Sequence, residues 1–298
     1  MTIRELFLTV DSLWYGVLNR HRTEAVMSRD WDNLILLDAC RFDMFREVNF
    51  LEGHLDSIYS CGSSTGHFLQ DNFKGQSFFD TVYVSGNPLV NHFVPDSFFA
   101  VIPVWQDGWH EEFGTVLPET MVEYSIEAAN RYMDKRLILH FMQPHYPFIG
   151  EKTRAVIGEH EGIKSRDLMI GKKVRHTQTV WHLFREGILD RQTVWEAYCD
   201  NLHIVLEALQ GLLPLLSGKT VISSDHGNLF GEWLWPIPVR EFGHFGGLYK
   251  KSLVQVPWFV CPGEKRKQIQ SAEPESKPES IGDREEYQKK LSVLGYID

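Results

Sequence analysis

Two uninterrupted apolar runs constrain this chain more than any other feature. Residues 33–38 read NLILLD and residues 136–142 read RLILHFM. Neither alternates polar with apolar side chains, so a strand built from either is buried on both faces. That disfavours a sandwich with one solvated face. It favours a parallel sheet with helices packed on both sides. The remaining chain agrees. LDSIYS (55–60), TVYVSGNP (81–88), KTVISS (219–224) and VPWFVC (256–261) are further strand candidates. Helical spacing in CRFDMFREVNF, GHFLQDNF, 117–135 and 191–216 falls between them. Pro118 sits in the first turn of the helix at 117–135, with acids following. The expected fold is α/β, three layers αβα around a mainly parallel central sheet.

Length and charge narrow the class. With 298 residues, 43% hydrophobic and 9 Trp, 19 Phe and 10 Tyr, the chain is too apolar for disorder and long enough for one large core. Residues 1–262 are expected as a single α/β catalytic domain. Within it, the charged and weakly periodic 151–190 reads as an insertion or lid. Residues 263–282, rich in Glu, Lys, Ser and Pro, read as a flexible linker. Residues 283–298 recover helical spacing and are expected to dock back as a C-terminal helix. The formal charge of −10 argues against duplex nucleic acid, because neutralising phosphates needs a basic face. No apolar run approaches the roughly 20 residues of a spanning helix, so no transmembrane segment is expected. The first residues, MTIRELFLTVDSLWYGVLNRHR, are interrupted by charges and read as a docked amphipathic helix rather than a signal peptide. Cys40, Cys61, Cys199 and Cys261 form no CxxC pair, which leaves no sign of a disulfide framework or structural zinc site. A cytoplasmic location is the expectation. Nothing in the sequence specifies an oligomeric state.

Several strand candidates end in residues suited to catalysis, and ligands of parallel sheets bind at the carboxyl ends of strands. The run 33–38 ends in Asp38. The run 55–60 leads into Gly62-Ser63-Ser64-Thr65. Pro144-His145 follows 136–142, and Asp225-His226-Gly227 follows 219–224. Two carboxylates and an imidazole, Asp38, Asp225 and His226, suit zinc or manganese with a position left open for a substrate oxygen. Thr65 stands where a helix N-cap belongs. It is also placed to be a hydroxyl nucleophile at a helix N-terminus, where free N–H groups favour an anion. Arg41 lies one turn past Asp38, open to an ester oxygen or to a salt bridge with Asp43 or Glu47. His140, inside a strand, reads as structural. Asp200 and His203 read as ordinary helix residues.

The order of these motifs resembles the alkaline phosphatase superfamily, in its sulfatase-like branch, including sulfatase-like proteins of archaea. The residues that carry the resemblance are LILLDACRFD, CGSSTGHFL, FMQPHYPFIG, SSDHGNLFGE, FGHFGGLYKKSLVQVPWFVCPG and the terminal LSVLGYI. It implies an alkaline phosphatase/sulfatase-like fold and Asp38, Thr65, Asp225 and His226 as ligands of one divalent metal. Zinc or manganese is implied ahead of calcium or magnesium. It implies Thr65 as nucleophile, His145 and His244 as catalytic partners, and Arg41, Ser64 and His145 as substrate contacts. The implied activity is hydrolysis or transfer of a phosphate or sulfate ester through a covalent intermediate. The implied substrate is a small anionic ester, with carbohydrate- and lipid-linked esters included. Cys61-Gly-Ser-Ser-Thr lacks the Pro and Arg of the sulfatase C/S-x-P-x-R motif, so no formylglycine is expected. The alternatives are a sulfatase without formylglycine and a catalytically degenerate binding protein.

Overall fold

A computed structural model describes residues 3–18, 23–151, 153–154, 179–263 and 265–275. Its elements run α1 (Ile3–Leu13), β1 (Asn33–Asp38), α2 (Phe42–Val48), β2 (His54–Tyr59), α3 (Thr65–Phe73), β3 (Phe78–Ser85), α4 (Leu89–Phe93) and β4 (Phe98–Pro103). There follow α5 (Val104–Asp107), β5 (Trp109–His110), β6 (Thr115–Val116), α6 (Pro118–Arg131), β7 (Arg136–Pro144), α7 (Val180–Arg185) and α8 (Arg191–Leu212). The last are β8 (Thr220–Ser224), β9 (Leu229–Trp233), β10 (Arg240–Gly243), α9 (Lys251–Val254) and β11 (Gln255–Val260).

Seven strands form the central sheet in the order β2-β11-β8-β1-β7-β3-β4. The pairs β8·β1, β1·β7, β7·β3 and β3·β4 are parallel, and β11 alone runs against its neighbours β8 and β2. β1 is buried at all six positions. Its residues alternate between two cores: Ile35 and Leu37 pack with α2, α6 and α8, while Leu34 and Leu36 pack with α3 and α4. Successive side chains of a strand point to opposite faces, so a run with no polar alternation is what a central strand between two helix layers requires. The three-layer expectation therefore holds.

Three regions add to the sequence reading. The hairpin β9·β10 falls where no strand was expected. Of the segment expected as a lid, residues 155–178 lie outside the described residues. Its end, α7, puts Trp181 and Phe184 into the main core. Within the expected linker, residues 265–275 are described and make contacts with the domain. Arg266 binds Asp30 and Asp32, Lys267 donates to Asn33 Oδ1 and the Lys135 carbonyl, and the backbone N–H groups of Gln270, Ala272 and Glu275 donate to Asp134, Phe79 and Phe99. This polar stretch is held by charge and backbone pairing rather than by burial, which is why composition suggested a linker. The expected C-terminal helix at 283–298 lies outside the described residues.

Candidate functional site

β1 lies between β8 and β7, with Leu37 beside Ser224 and Leu36 beside His140. Asp38 and Asp225 are thus neighbouring strand ends. A register shift between Leu37 and Asp38 and a left-handed Ala39 (φ 60°) turn the chain sharply after β1. A non-glycine residue rarely adopts that conformation, and doing so costs about 1–3 kcal/mol unless the surroundings hold it. Here the Tyr198 hydroxyl donates to the Ala39 carbonyl, and the Ala39 N–H donates to Asp225 Oδ1 at 3.0 Å.

Each carboxylate is pinned through one oxygen. Asp38 Oδ2 accepts from Asn87 Nδ2 at 2.8 Å, and Asp225 Oδ1 accepts also from the His226 N–H at 2.8 Å. The other oxygens, Asp38 Oδ1 and Asp225 Oδ2, are buried without a hydrogen-bond partner among the described residues. Burial, and then the charge of Asp225, pushes the Asp38 carboxyl well above its ordinary value. Burial acts upward on Asp225 too, but His226 and His140, together with hydrogen bonds from the Ala39 N–H and the Thr65 hydroxyl, hold its carboxyl below the ordinary value.

Two imidazoles face these free oxygens. His226 Nδ1–H donates to the Gly227 carbonyl at 2.7 Å. That turns Nε2 towards the carboxylates, 3.5 Å from Asp225 Oδ2 and 3.7 Å from Asp38 Oδ1. His140 Nδ1 is 2.9 Å from the Tyr83 hydroxyl; its Nε2, also without a partner, is 3.8 Å from Asp225 Oδ2. Donor atoms of Asp38, His140 and Asp225 all lie within 4.8 Å of one another. Unsatisfied buried oxygen and nitrogen donors are costly alone. Asp38, His140 and Asp225 could together hold a metal ion. His140 is thus corrected from a structural strand residue to a member of the cluster. Its place in an apolar strand hid it, and only the pairing of β7 with β1 brings it beside Asp225.

The glycines of the motifs answer to close approach. A Cβ at Gly227 would lie 2.2 Å from the Ser252 carbonyl oxygen, and one at Gly62 would lie 2.1 Å from the Phe68 backbone nitrogen. Thr65 is not the cap of α3. Ser64, in extended conformation, occupies that position without a side-chain cap bond, and Thr65 opens the helix. The Thr65 Oγ1 is 3.3 Å from His226 Nε2. The Ser64 hydroxyl lies 3.4 Å from His67 Nδ1, on which the Gly247 N–H also closes at 3.0 Å.

His145 and His244 meet at 3.0 Å, Nε2 to Nε2, and the His244 ring centroid lies 4.5 Å from that of His226. His145 Nδ1–H donates to the Tyr146 carbonyl at 2.6 Å. In that tautomer His145 Nε2 accepts from His244 Nε2–H. Burial holds both imidazoles neutral, His145 down to about 4 and His244 well below its ordinary value. Arg41, implied by the resemblance as a substrate contact, also has partners within the chain. Its guanidinium donates to Asp43 at 2.8 and 2.6 Å, to Glu232 at 2.6 Å and to the Asn228 carbonyl at 2.8 Å. Arg41 thereby ties α2 to the turn that follows Asp225-His226. Asp200 and His203 stay apart: Asp200 accepts from Thr153, while the exposed His203 pairs with Glu207.

No family model matches the chain, and no curated protein matches it. Solved structures do. BT4656, solved in complex with its substrate D-glucosamine-2-N,6-O-disulfate, aligns at 14% identity and a TM-score of 0.50, over 78% of this chain and 71% of that one. The integral membrane lipooligosaccharide phosphoethanolamine transferase A of Neisseria meningitidis aligns at 15% identity and a TM-score of 0.48, over 76% of this chain and 47% of that one. This chain therefore spans about half the length of that transferase. An alkaline phosphatase superfamily protein from Vibrio parahaemolyticus aligns at 11% identity and a TM-score of 0.42, over 99% of this chain and 76% of that one. The fold is alkaline phosphatase/sulfatase-like.

Proposed function

On this alkaline phosphatase/sulfatase-like fold we propose a metal-dependent transfer of a phosphoryl-type group from an ester, with Thr65 as nucleophile. Asp38, Asp225, His226 and His140 would hold one divalent cation, zinc or manganese. One observation carries the reading. The Thr65 hydroxyl, at the N-terminus of a nine-residue helix, lies 3.3 Å from His226 Nε2, beside the buried, partnerless oxygens Asp38 Oδ1 and Asp225 Oδ2. When bound, the cation supplies Lewis-acid polarisation of an ester oxygen and lowers the pKa of a nearby hydroxyl.

The chain's own residues supply the rest. The first N–H groups of α3 and its dipole receive the anionic group. Thr65 releases its hydroxyl proton to water, and its Oγ1 forms the new bond to phosphorus as the bond from phosphorus to the ester oxygen breaks on the opposite side. The hydrogen-bonded pair His145 and His244 meets that oxygen. Both are neutral at pH 7, so the pair stabilises the departing charge by hydrogen bonding, and the leaving oxygen takes its proton from water. Water or an acceptor hydroxyl then takes the group from Thr65 and restores the hydroxyl. Sulfate esters are the second substrate class, on the likeness to the sulfated-glucosamine complex of BT4656.

The test is a panel of phosphate monoesters, phosphate diesters and sulfate esters, each with zinc, manganese, magnesium and calcium. Turnover is expected with a phosphate ester in zinc or manganese. Thr65→Ala is expected to lower kcat by about 1000-fold or more while metal stoichiometry is unchanged. Undiminished turnover in that variant would overturn the nucleophile assignment.

A further inference from the structure

Among the described residues, the exposed large hydrophobic side chains are concentrated on one face. Leu6, Val10, Leu13, Trp14 and Val17 are 36–73% exposed, and Trp233 and Trp235 are 55% and 58% exposed. The first five recur at the spacing of one helical stripe along α1 and the π-helical turn Trp14–Leu18. A helix on a water-soluble domain normally turns such a stripe inward. This one does the reverse. Asp11 and Tyr15 face the domain, Asp11 fully buried and accepting from the Ile237 N–H at 3.0 Å. Tyr15 and Leu8 pack with Leu229, Leu234 and Leu248. Leu234 points inward between Trp233 and Trp235, so the two indoles stand out beside the helix.

The border of this face is cationic in a chain of net charge −10. Lys250 Nζ donates to the Trp233 carbonyl at 2.9 Å, the Arg240 guanidinium lies 6.0 Å from the Trp233 ring, and Lys251 is exposed. The only acids in residues 3–18, 233–240 and 249–251 are Glu5 and the buried Asp11.

We propose that this face docks on the surface of an anionic lipid bilayer. Three properties select that occupant. Indole rings favour the interface between headgroups and acyl chains. An apolar helical stripe lies in the interfacial plane with its cations at headgroup level. The contact proposed is with the bilayer surface, since no helix of the described residues is long and apolar enough to cross a membrane. The docking is independent of the ester-transfer reading and stands or falls without it.

Vesicle co-sedimentation of the full chain tests it. The probes are pure phosphatidylcholine vesicles and vesicles with roughly one-third phosphatidylglycerol. Binding is expected to the anionic vesicles, to weaken with salt, and to shift tryptophan emission to the blue. Leu13→Ser/Val17→Ser and Trp233→Ser/Trp235→Ser are each expected to weaken vesicle binding about tenfold or more. Both variants keep turnover of a soluble ester and the circular dichroism of the parent. No binding to anionic vesicles overturns the proposal, as does equal binding by the folded variants. A dimer in sedimentation velocity that either pair of substitutions dissolves, without vesicle binding, assigns the face to a second copy and also overturns it.

Discussion

Asp38 shows at the residue scale how a binding site works against its own fold. Its carboxyl is buried beside Asp225 and pushed upward by that burial and charge. Ionising it without a cation is unfavourable. Asp38→Asn is therefore expected to stabilise the metal-free protein by about 1 kcal/mol or more at pH 7, while cutting metal content below stoichiometric. Urea unfolding in chelator and elemental analysis check the two halves; a destabilised variant with normal metal content would overturn the assignment. His140 makes a second prediction. Its Nδ1 is fixed by the Tyr83 hydroxyl at 2.9 Å, which leaves Nε2 facing Asp225. Loss of such a supporting bond weakens metal binding 10–100-fold in known sites, so Tyr83→Phe is expected to weaken zinc affinity about tenfold. An unchanged affinity in a competition titration would return His140 to a packing role.

The elements matter here through their ends. β1 and β8 deliver Asp38 and Asp225 side by side, α3 delivers Thr65, and the turn after β8 closes against α9. Gly227 is the tightest point of that closure. An added methyl would meet the Ser252 carbonyl oxygen at 2.2 Å, and that oxygen belongs to backbone that moves only if α9 moves. Gly227→Ala is expected to cost about 2–3 kcal/mol in chemical denaturation and to displace His226. A variant of parental stability would show that α9 yields freely. The same scale explains the misplaced cap. Ser64 and Thr65 are both good cap residues, and sequence alone cannot order two adjacent candidates. Backbone torsions do: Ser64 is extended and Thr65 is helical. That difference aims the Thr65 hydroxyl at His226.

Over the whole molecule, buried imidazoles set the response to acid. His140 and His145 are held down to about 4 by burial, against an ordinary 6.5. Between those values the unfolded chain binds more protons than the folded one. Stability is thus fully present above pH 6.5 and is lost as pH falls towards 4, by up to about 1.4 kcal/mol per pH unit for each imidazole. Asp38 acts in the opposite sense, because its raised pKa lets the folded chain keep a proton that the unfolded chain has released. In chelator, the parent is expected to lose stability from pH 7 to 5, and Asp38→Asn to lose it more steeply. A flat profile in both would show that the imidazoles are solvated.

The sequence by itself determined the layers and supplied most residues of the candidate site. Continuous apolar strands can be satisfied only between two helix sheets, and Asp38, Thr65, His145 and Asp225-His226 were legible because each directly follows a recognisable strand. Tertiary structure decided the rest. The pairing of β7 with β1 turned His140 into a candidate ligand. The proximity of Asp43 and Glu232, one of them 191 residues away from Arg41, gave that arginine carboxylate partners within the chain. The inward turn of Asp11 left an apolar stripe facing out, where amphipathic spacing gives a helix but not the side it presents. In each case the physical reason is the same. Periodicity reports which residues share a face, while only long-range packing fixes what that face meets.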